Sequence, residues 1–573
     1  MGWTDSDASK ASAPKTPSFL ITAFLLLATI LVHGNAINGW WLYDDPQLVI
    51  HAMENSAGSI LFSPDAYRFL ASHTFTPLLS LSFKLDFALA ELDPRGFYLH
   101  QFLALALCVV LLFLLLRRYT RQSIAIVTTL AFILAPPTAI IARTLMMRHY
   151  LEGLLLASGA LLLWECGGRG PGKTDSAPMG VARSPETFFH WSDIAAALLY
   201  LGAMLAKEIY APLPLLMMVE AIWRGVRFRE MARRLIPTVA AGAIFIVWRA
   251  TMLGSPGGYG ELPSIASIAR LPFTILKESF NGSPAAVMIA GALLLLTLVT
   301  GGLIVSRRRW AVPVGAFALF ALLPIVPLAA RFELRYAFVA FLSLLVATAI
   351  ASRRSIFSPR MTMALHIALC IVLAVASFYQ LRQFGSVTAA MEAEGRYVWS
   401  AKSDAPALLA SSPGWYLAGL GTLRQTRGAG LAPRFVLSRE PMMSGEVATS
   451  NIVQSHWASA AITPLTADDK EQIRLEAGRF DATIPLSFTF RRHQHALVWN
   501  LEPAQGGSWL FLTHPYYGRY PIPSTGRNRI PDAKERQYFR VRRDVGDGRW
   551  NLSPVLELPT EGRAVSWSGT QAP

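Results

Sequence analysis

Trp40-Trp41-Leu42-Tyr43-Asp44-Asp45-Pro46 follows directly on the first long apolar run, Phe19 to Ile37. Two adjacent carboxylates therefore stand where a membrane-spanning helix should be leaving the bilayer, beside three aromatic rings of the kind that settle at headgroup level. An acidic pair is costly against lipid and is read here as facing a polar site. The plain alternative is that Asp44 and Asp45 cap the next helix, with Pro46 in its first turn. The rest of the chain bears on that choice.

Of the 573 residues, 53% belong to the hydrophobic set and 16% are charged, and mean hydropathy is +0.38. A water-soluble chain of this length could not hide so much apolar side chain, which makes this an integral membrane protein. Cys108, Cys166 and Cys370 lie in or beside apolar runs. They read as small buried hydrophobes, which excludes a disulfide scaffold and a thiolate metal site. The formal charge of +15 is concentrated in short arginine-rich loops. Membrane orientation accounts for that pattern, and no nucleic-acid partner is expected.

The fold class expected is a polytopic α-helical membrane protein of about eleven transmembrane helices with a C-terminal, extracytoplasmic, mainly-β soluble domain. Residues 1–18 form a disordered cytoplasmic tail and 19–382 the membrane domain, with a first external loop at 38–95. Spans are read at 19–37, 97–116, 123–142, 149–165, 191–206, 209–223, 235–252, 285–305, 311–330, 336–350 and 362–382. Within the first loop, 46–56 and 74–91 read as helices along the membrane surface. The arginine clusters around Arg117, Arg118 and Arg121, Arg169 to Arg183, Arg224 to Arg234, Arg307 to Arg309 and Arg353 to Arg360 all fall on one side of these spans. The positive-inside rule makes that side cytoplasmic, along with the N-terminus. Residues 383–573 are then periplasmic. Period-two strings at 496–501 and 508–513 read as strands, and helices are expected near 404–424 and 467–477.

Several charges remain outside the arginine-rich loops. They are Arg143, Arg148 and His149 around the turn between the third and fourth spans, Lys207 and Glu208 after the fifth, Arg249 near the end of the seventh, and Arg331, Glu333, Arg335 and Tyr336 around the end of the ninth and the start of the tenth. Charges at membrane depth usually face a polar cavity or each other, so several at one level imply a shared cavity. The cations suit the phosphate of a lipid-linked donor. A carboxylate suits the base that deprotonates an acceptor hydroxyl as it attacks a sugar's anomeric carbon, and an inverting transfer needs only one such base. Each charge also has a plainer use as a helix-end ion pair or a snorkelling side chain. No His, Asp or Glu spacing matches a strong metal motif.

Tyr43-Asp44-Asp45, then Phe75 to Asp86 and Leu92 to His100, together with Ala206-Lys207-Glu208, Trp248-Arg249 and Arg335-Tyr336, resemble the landmarks of the polytopic GT-C-type glycosyltransferases. In particular they resemble bacterial relatives of the protein O-mannosyltransferases and of the transmembrane tetratricopeptide-repeat mannosyltransferases. The resemblance covers about residues 19–382. It implies a GT-C-like fold, a polyprenyl-phosphate sugar donor, a periplasmic protein, glycan or lipid acceptor, and a catalytic acid at Asp44 with Asp45 as its acidic neighbour. It places Arg148, Lys207 and Arg335 near the donor phosphate. Where the repeat-bearing branch shows His-Pro and an acid before the arginine, this chain has Pro136-Pro137 and no acid before Arg143. Dependence on a divalent cation at Asp44 and Asp45 is left open.

No tetratricopeptide period appears in the C-terminal region. Its aromatic and basic patch, with Tyr516, Tyr517 and Arg519, is the acceptor-side candidate, against an ordered surface loop as the plainer reading. Two other functions compete with sugar transfer. A transporter or flippase of lipid-linked intermediates would want polar groups through the full membrane depth, whereas the charge here is one-sided. A non-enzymatic envelope assembly protein would tolerate neutral substitution of the whole charged set.

Overall fold

The computed structural model describes residues 18–70, 74–167, 190–254, 263–305, 315, 320, 322–401, 406–450, 452–493, 496–529 and 536–569. The chain divides into two compact units. Among the described residues, the first takes 18–39, 95–249 and 263–382, and the second takes 40–94, 250–254 and 383–569.

The first unit is helical. Among the described residues, six helices are long and apolar enough to cross a membrane: Ser18–Asn38, Pro94–Tyr119, Phe228–Leu253, Ala285–Ile304, Leu334–Ala351 and Pro359–Ser400. Large apolar side chains such as Leu31, Val247 and Ile304 stand exposed along them, as lipid-facing surfaces do. Leu334–Ala351 is the core helix. Its apolar window is 83% buried, and it packs against Gln122–Ile133, Pro136–Ile141, Ile265–Ser279 and Ala285–Val305. The chain is a multi-pass membrane protein with a C-terminal β-rich region.

The helices depart from the expected spans in several places, and 362–382 falls inside one longer helix, Pro359–Ser400. The run 123–142 is two helices, Gln122–Ile133 and Pro136–Ile141, because Pro136 and Pro137 lack the amides to continue the first. The run 209–223 opens as a 3-10 turn, Glu208–Tyr210, and helix begins only at Leu213 after Pro212. The resulting 11-residue helix Leu213–Trp223 is about 16 Å long, well short of a hydrocarbon core. Ile265–Ser279 is a helix the hydropathy pattern did not reveal, since its apolar residues occupy one face only. Nine residues of 311–330 lie outside the described residues, and its end, Leu323–Arg331, is a 3-10 segment. The expected tail at 1–18 also lies almost wholly outside them.

Several loop arginines have inward partners. Glu165 accepts from Arg118 and Tyr119, and Arg224 stands 3.4 Å away. Arg224 also pairs with Glu220, which accepts from Trp164 Nε1 at 3.0 Å. Arg234 pairs with buried Asp193 at 3.0 Å. These links join the ends of five helices through charges that would be costly if left single.

The second unit joins the first external loop to the C-terminal region. In the loop, the expected surface helices appear as Asp45–Glu54 and Pro77–Ala90, with shorter helices Ala57–Phe62 and Pro64–Leu70 between them. Lys84 donates to the carbonyls of Ala52 and Asn55 at 2.9 Å each, closing the end of the first of these helices. Arg68 donates to the Met252 carbonyl at 2.9 Å, which ties 250–254 to this unit.

The C-terminal region is three layers. Parallel strands Phe435–Val436, Ala407–Leu408 and Val453–His456, with Ala461–Pro464 antiparallel at the edge, form a small sheet. Helix Gly414–Thr426 is the crossover between its first two strands in the chain, and it lies later than the expected 404–424 because 407–408 is strand. Helix Ala467–Ala477 opens with a capping box between Thr466 and Asp469. Two antiparallel sheets follow, and both expected strands are present as Ala496–Glu502 and Ser508–His514. One face of the sheet holding Ser508–His514 and Tyr538–Asp544 turns Trp509, Phe539 and Val541 onto Phe488, Phe490 and Trp499. The other face turns Leu510, Leu512 and Trp550 onto Leu408, Val436 and Ile473. That sheet is the middle layer because strand Ser508–His514 turns apolar residues to both faces, Trp509 and Phe511 to one and Leu510 and Leu512 to the other.

Candidate active site

The acidic pair resolves into two different residues. Asp45 is fully buried, and its Oδ2 accepts the Leu42 amide at 2.8 Å while its own amide donates to the Leu42 carbonyl at 3.0 Å. The reciprocal bonds close a four-residue turn with Tyr43 and Asp44 at its tip. Asp44 is exposed and occupies the cap position of helix Asp45–Glu54, yet its side chain makes no capping bond. Helix capping by a side chain therefore does not account for either carboxylate. Tyr43 has φ +48°, a left-handed conformation that costs an aromatic residue about 1–3 kcal/mol. Such strain persists where the surroundings over-determine the backbone. Burial, followed by the charge of Asp45, raises the Tyr43 phenol above its ordinary value.

The charged set in the first unit converges in part. Lys207 is 8% exposed, with its ammonium 5.7 Å from the centre of the Tyr150 ring and within electrostatic reach of Glu208, Arg335 and Arg249. Glu208 pairs with Arg249 at 2.9 Å. Arg335 pairs with half-exposed Glu333 at 2.8 Å and lies over Tyr336, 5.2 Å from the ring centre. His149 is buried close enough to feel Lys207 and Arg335. Lys207 itself makes no ion pair among the described residues. The group thus holds three cations, Lys207, Arg249 and Arg335, against Glu208 and Glu333.

Local sequence explains how Lys207 comes to sit there. Lys207 is extended (φ −158°) and ends helix Trp191–Ala206 before the 3-10 turn Glu208–Tyr210. Tyr210 then donates to the Tyr150 carbonyl at 2.6 Å. Its ring lies where a Cβ on Gly153 would be, so only glycine at 153 admits it. Tyr150 was not foreseen, although its place directly after Arg148-His149 was a signal.

Other expected residues stand apart. Arg148 is fully buried, donating to the Phe97 carbonyl at 2.6 Å with His100 Nδ1 at 3.4 Å, so its guanidinium braces helix Pro94–Tyr119. Arg331 closes a 3-10 segment, and its side chain lies outside the described residues. In the C-terminal region, Tyr516 stacks on Phe435 with ring centres 4.7 Å apart. Tyr517 is buried, donates to Glu446, and has its phenol pushed up to about 12 by burial and then by that bond. Arg519 Nε lies 3.2 Å from Glu440. Of these three, Tyr517 is committed inside the domain.

A divalent cation would need more ligands than this turn supplies. One Asp45 oxygen is already bonded to an amide, and no group of three or more His, Cys, Asp or Glu side chains is assembled among the described residues. The acidic turn does not by itself fit a metal ion.

No protein-family model and no curated protein matches the sequence. Comparison with solved structures finds ArnT from Cupriavidus metallidurans bound to undecaprenyl phosphate at TM-score 0.43 and 14% identity, covering 76% of this chain and 93% of that one. It also finds the Archaeoglobus fulgidus oligosaccharyltransferase in complex with Zn and sulfate at TM-score 0.43 and 12% identity, covering 88% of this chain and 73% of that one.

Proposed function

We propose that the protein is a GT-C-type glycosyltransferase of the bacterial inner membrane. It moves a sugar from a polyprenyl-phosphate donor to a periplasmic protein, glycan or lipid acceptor, with inversion. The observation that carries the reading is Lys207, a buried ammonium without an ion-pair partner among the described residues, in a group whose named members are three cations and two carboxylates. Such a group calls for an anion, and a buried phosphate held by charge-assisted bonds answers it. The ordered motifs from Tyr43 to Tyr336 supply the sugar chemistry through their resemblance to that enzyme class.

In the reaction, the Asp44 carboxylate takes the proton of the acceptor hydroxyl while that oxygen forms its bond to the sugar's anomeric carbon. The bond from that carbon to the phosphate oxygen breaks, and its electron pair stays with the phosphate. Polyprenyl phosphate leaves with one more negative charge than the donor carried. Lys207 and Arg335 are assigned to that developing charge, which is where fixed cations lower a barrier most. Arg249 and Glu208 hold each other and set the position of the Lys207 backbone.

The test compares lipid-linked intermediates and periplasmic glycans in a deletion strain with those in its parent. One polyprenyl-phosphate sugar should accumulate and one glycan should be lost. Unchanged profiles of both would refute the proposal.

A further inference from the structure

The acidic turn is backed by a helix more than 360 residues later in the chain. Gly414–Thr426 packs along Asp45–Glu54. Tyr416, fully buried, donates its hydroxyl to the Trp41 carbonyl at 2.8 Å, three residues before Asp44. Burial, then the charges of Asp45, Glu392 and Glu394, hold this phenol well above its ordinary value, so it remains a donor. Two glycines make the approach possible. A Cβ on Gly419 would lie 2.9 Å from Pro46 Cβ and 2.7 Å from Gln47 Nε2, and one on Gly395 would strike the Tyr416 hydroxyl. Trp40 is held as well, with Arg396 over its ring at 4.3 Å and Trp399 edge-on at 5.9 Å.

The turn therefore has fixed ends and a strained tip. Its entry is fixed at Trp40 and Trp41 by groups from 396–416, its exit at Pro46 and Gln47 by Gly419, and its closure by Asp45. Tyr43, the residue with the left-handed backbone, lies between these anchors. Loss of an anchor lets that residue relax, and Asp44 moves with it. We infer that Tyr416 is a positioning residue for the Asp44 carboxylate, and that the C-terminal domain sets the geometry of the base. The inference rests on the reading of Asp44 as the base.

The test uses the full-length protein in detergent with its lipid-linked donor. Tyr416→Phe keeps the ring in its cavity and removes only the hydroxyl. The expected result is a roughly ten- to hundredfold fall in kcat, the scale of a small misplacement at a reacting group, with donor KM and undecaprenyl phosphate affinity unchanged. Amide exchange at Leu42 and Asp45 should quicken in the same variant, a change that a role confined to packing elsewhere would not give. Gln425→Ala, on the exposed face of the helix, should leave both unchanged. Should Tyr416→Phe not fold, Gly419→Ala takes its place with the same expectations. Wild-type turnover in Tyr416→Phe beside an inactive Asp44→Asn overturns the positioning role and leaves the base in place. A loss of kcat without faster exchange at Leu42 and Asp45 also overturns it. An active Asp44→Asn removes both.

Discussion

Substitution of the two neighbouring acids should give opposite phenotypes. Asp44→Asn changes an exposed side chain that makes no capping bond, and asparagine is as good a residue at that helix position. Stability should stay within about 0.5 kcal/mol of the parent, the usual range for surface changes. Turnover should fall roughly 10²- to 10⁴-fold, the contribution of a positioned base. Asp45→Ala removes a buried carboxylate and orphans the Leu42 amide that it accepts at 2.8 Å. Leaving a buried donor unsatisfied costs about 1–3 kcal/mol. For a unit of a few hundred residues, about 2 kcal/mol lowers the thermal midpoint by about 4–8 °C. The assay is a paired one, with single-turnover sugar transfer and a thermal melt on the same detergent preparations. Near-normal turnover in Asp44→Asn, or a melt in that variant as depressed as in Asp45→Ala, would refute the division of labour.

Further outcomes follow from the same geometry. Lys207→Met should weaken undecaprenyl phosphate binding about 10- to 100-fold, the value of one charge-assisted bond, while raising or leaving unchanged the thermal midpoint, because it removes a buried single charge. A lowered midpoint with unchanged binding would show that Lys207 is structural. His51 is held down to about 4 by burial, against 6.5 unfolded. Between those values the unfolded chain binds more protons, so stability should fall as pH drops from 6.5 to 4 and level off below. The loss is at most about 3 kcal/mol, and His51→Gln should flatten that limb of the melt-against-pH curve. Gly153→Ala would drive a methyl into the Tyr210 ring, and overpacking of this kind costs about 1–3 kcal/mol. It should also displace Tyr150 and Lys207, seen as lost donor affinity alongside the lowered midpoint.

Hydropathy and charge alone determined that the chain is a multi-pass membrane protein with a β-rich C-terminal region, because apolar run length and period-two alternation are local properties of the sequence. They located the helices of the first loop and the strands at 496–502 and 508–514 for the same reason. Local pattern also placed unusual charges at Lys207, Glu208, Arg249 and Arg335. It could not separate Asp44 from Asp45, since two identical neighbours differ only in which one the turn buries. It could not see that Arg148 braces a helix by bonding to Phe97, or that Arg118, Arg224 and Arg234 have acidic partners on other helices. Nor did any signal near residue 416 point to residue 41. Those facts depend on which distant backbones approach closely enough to bond, and that is decided by packing, through positions such as Gly153, Gly395 and Gly419 where the absence of a side chain admits another.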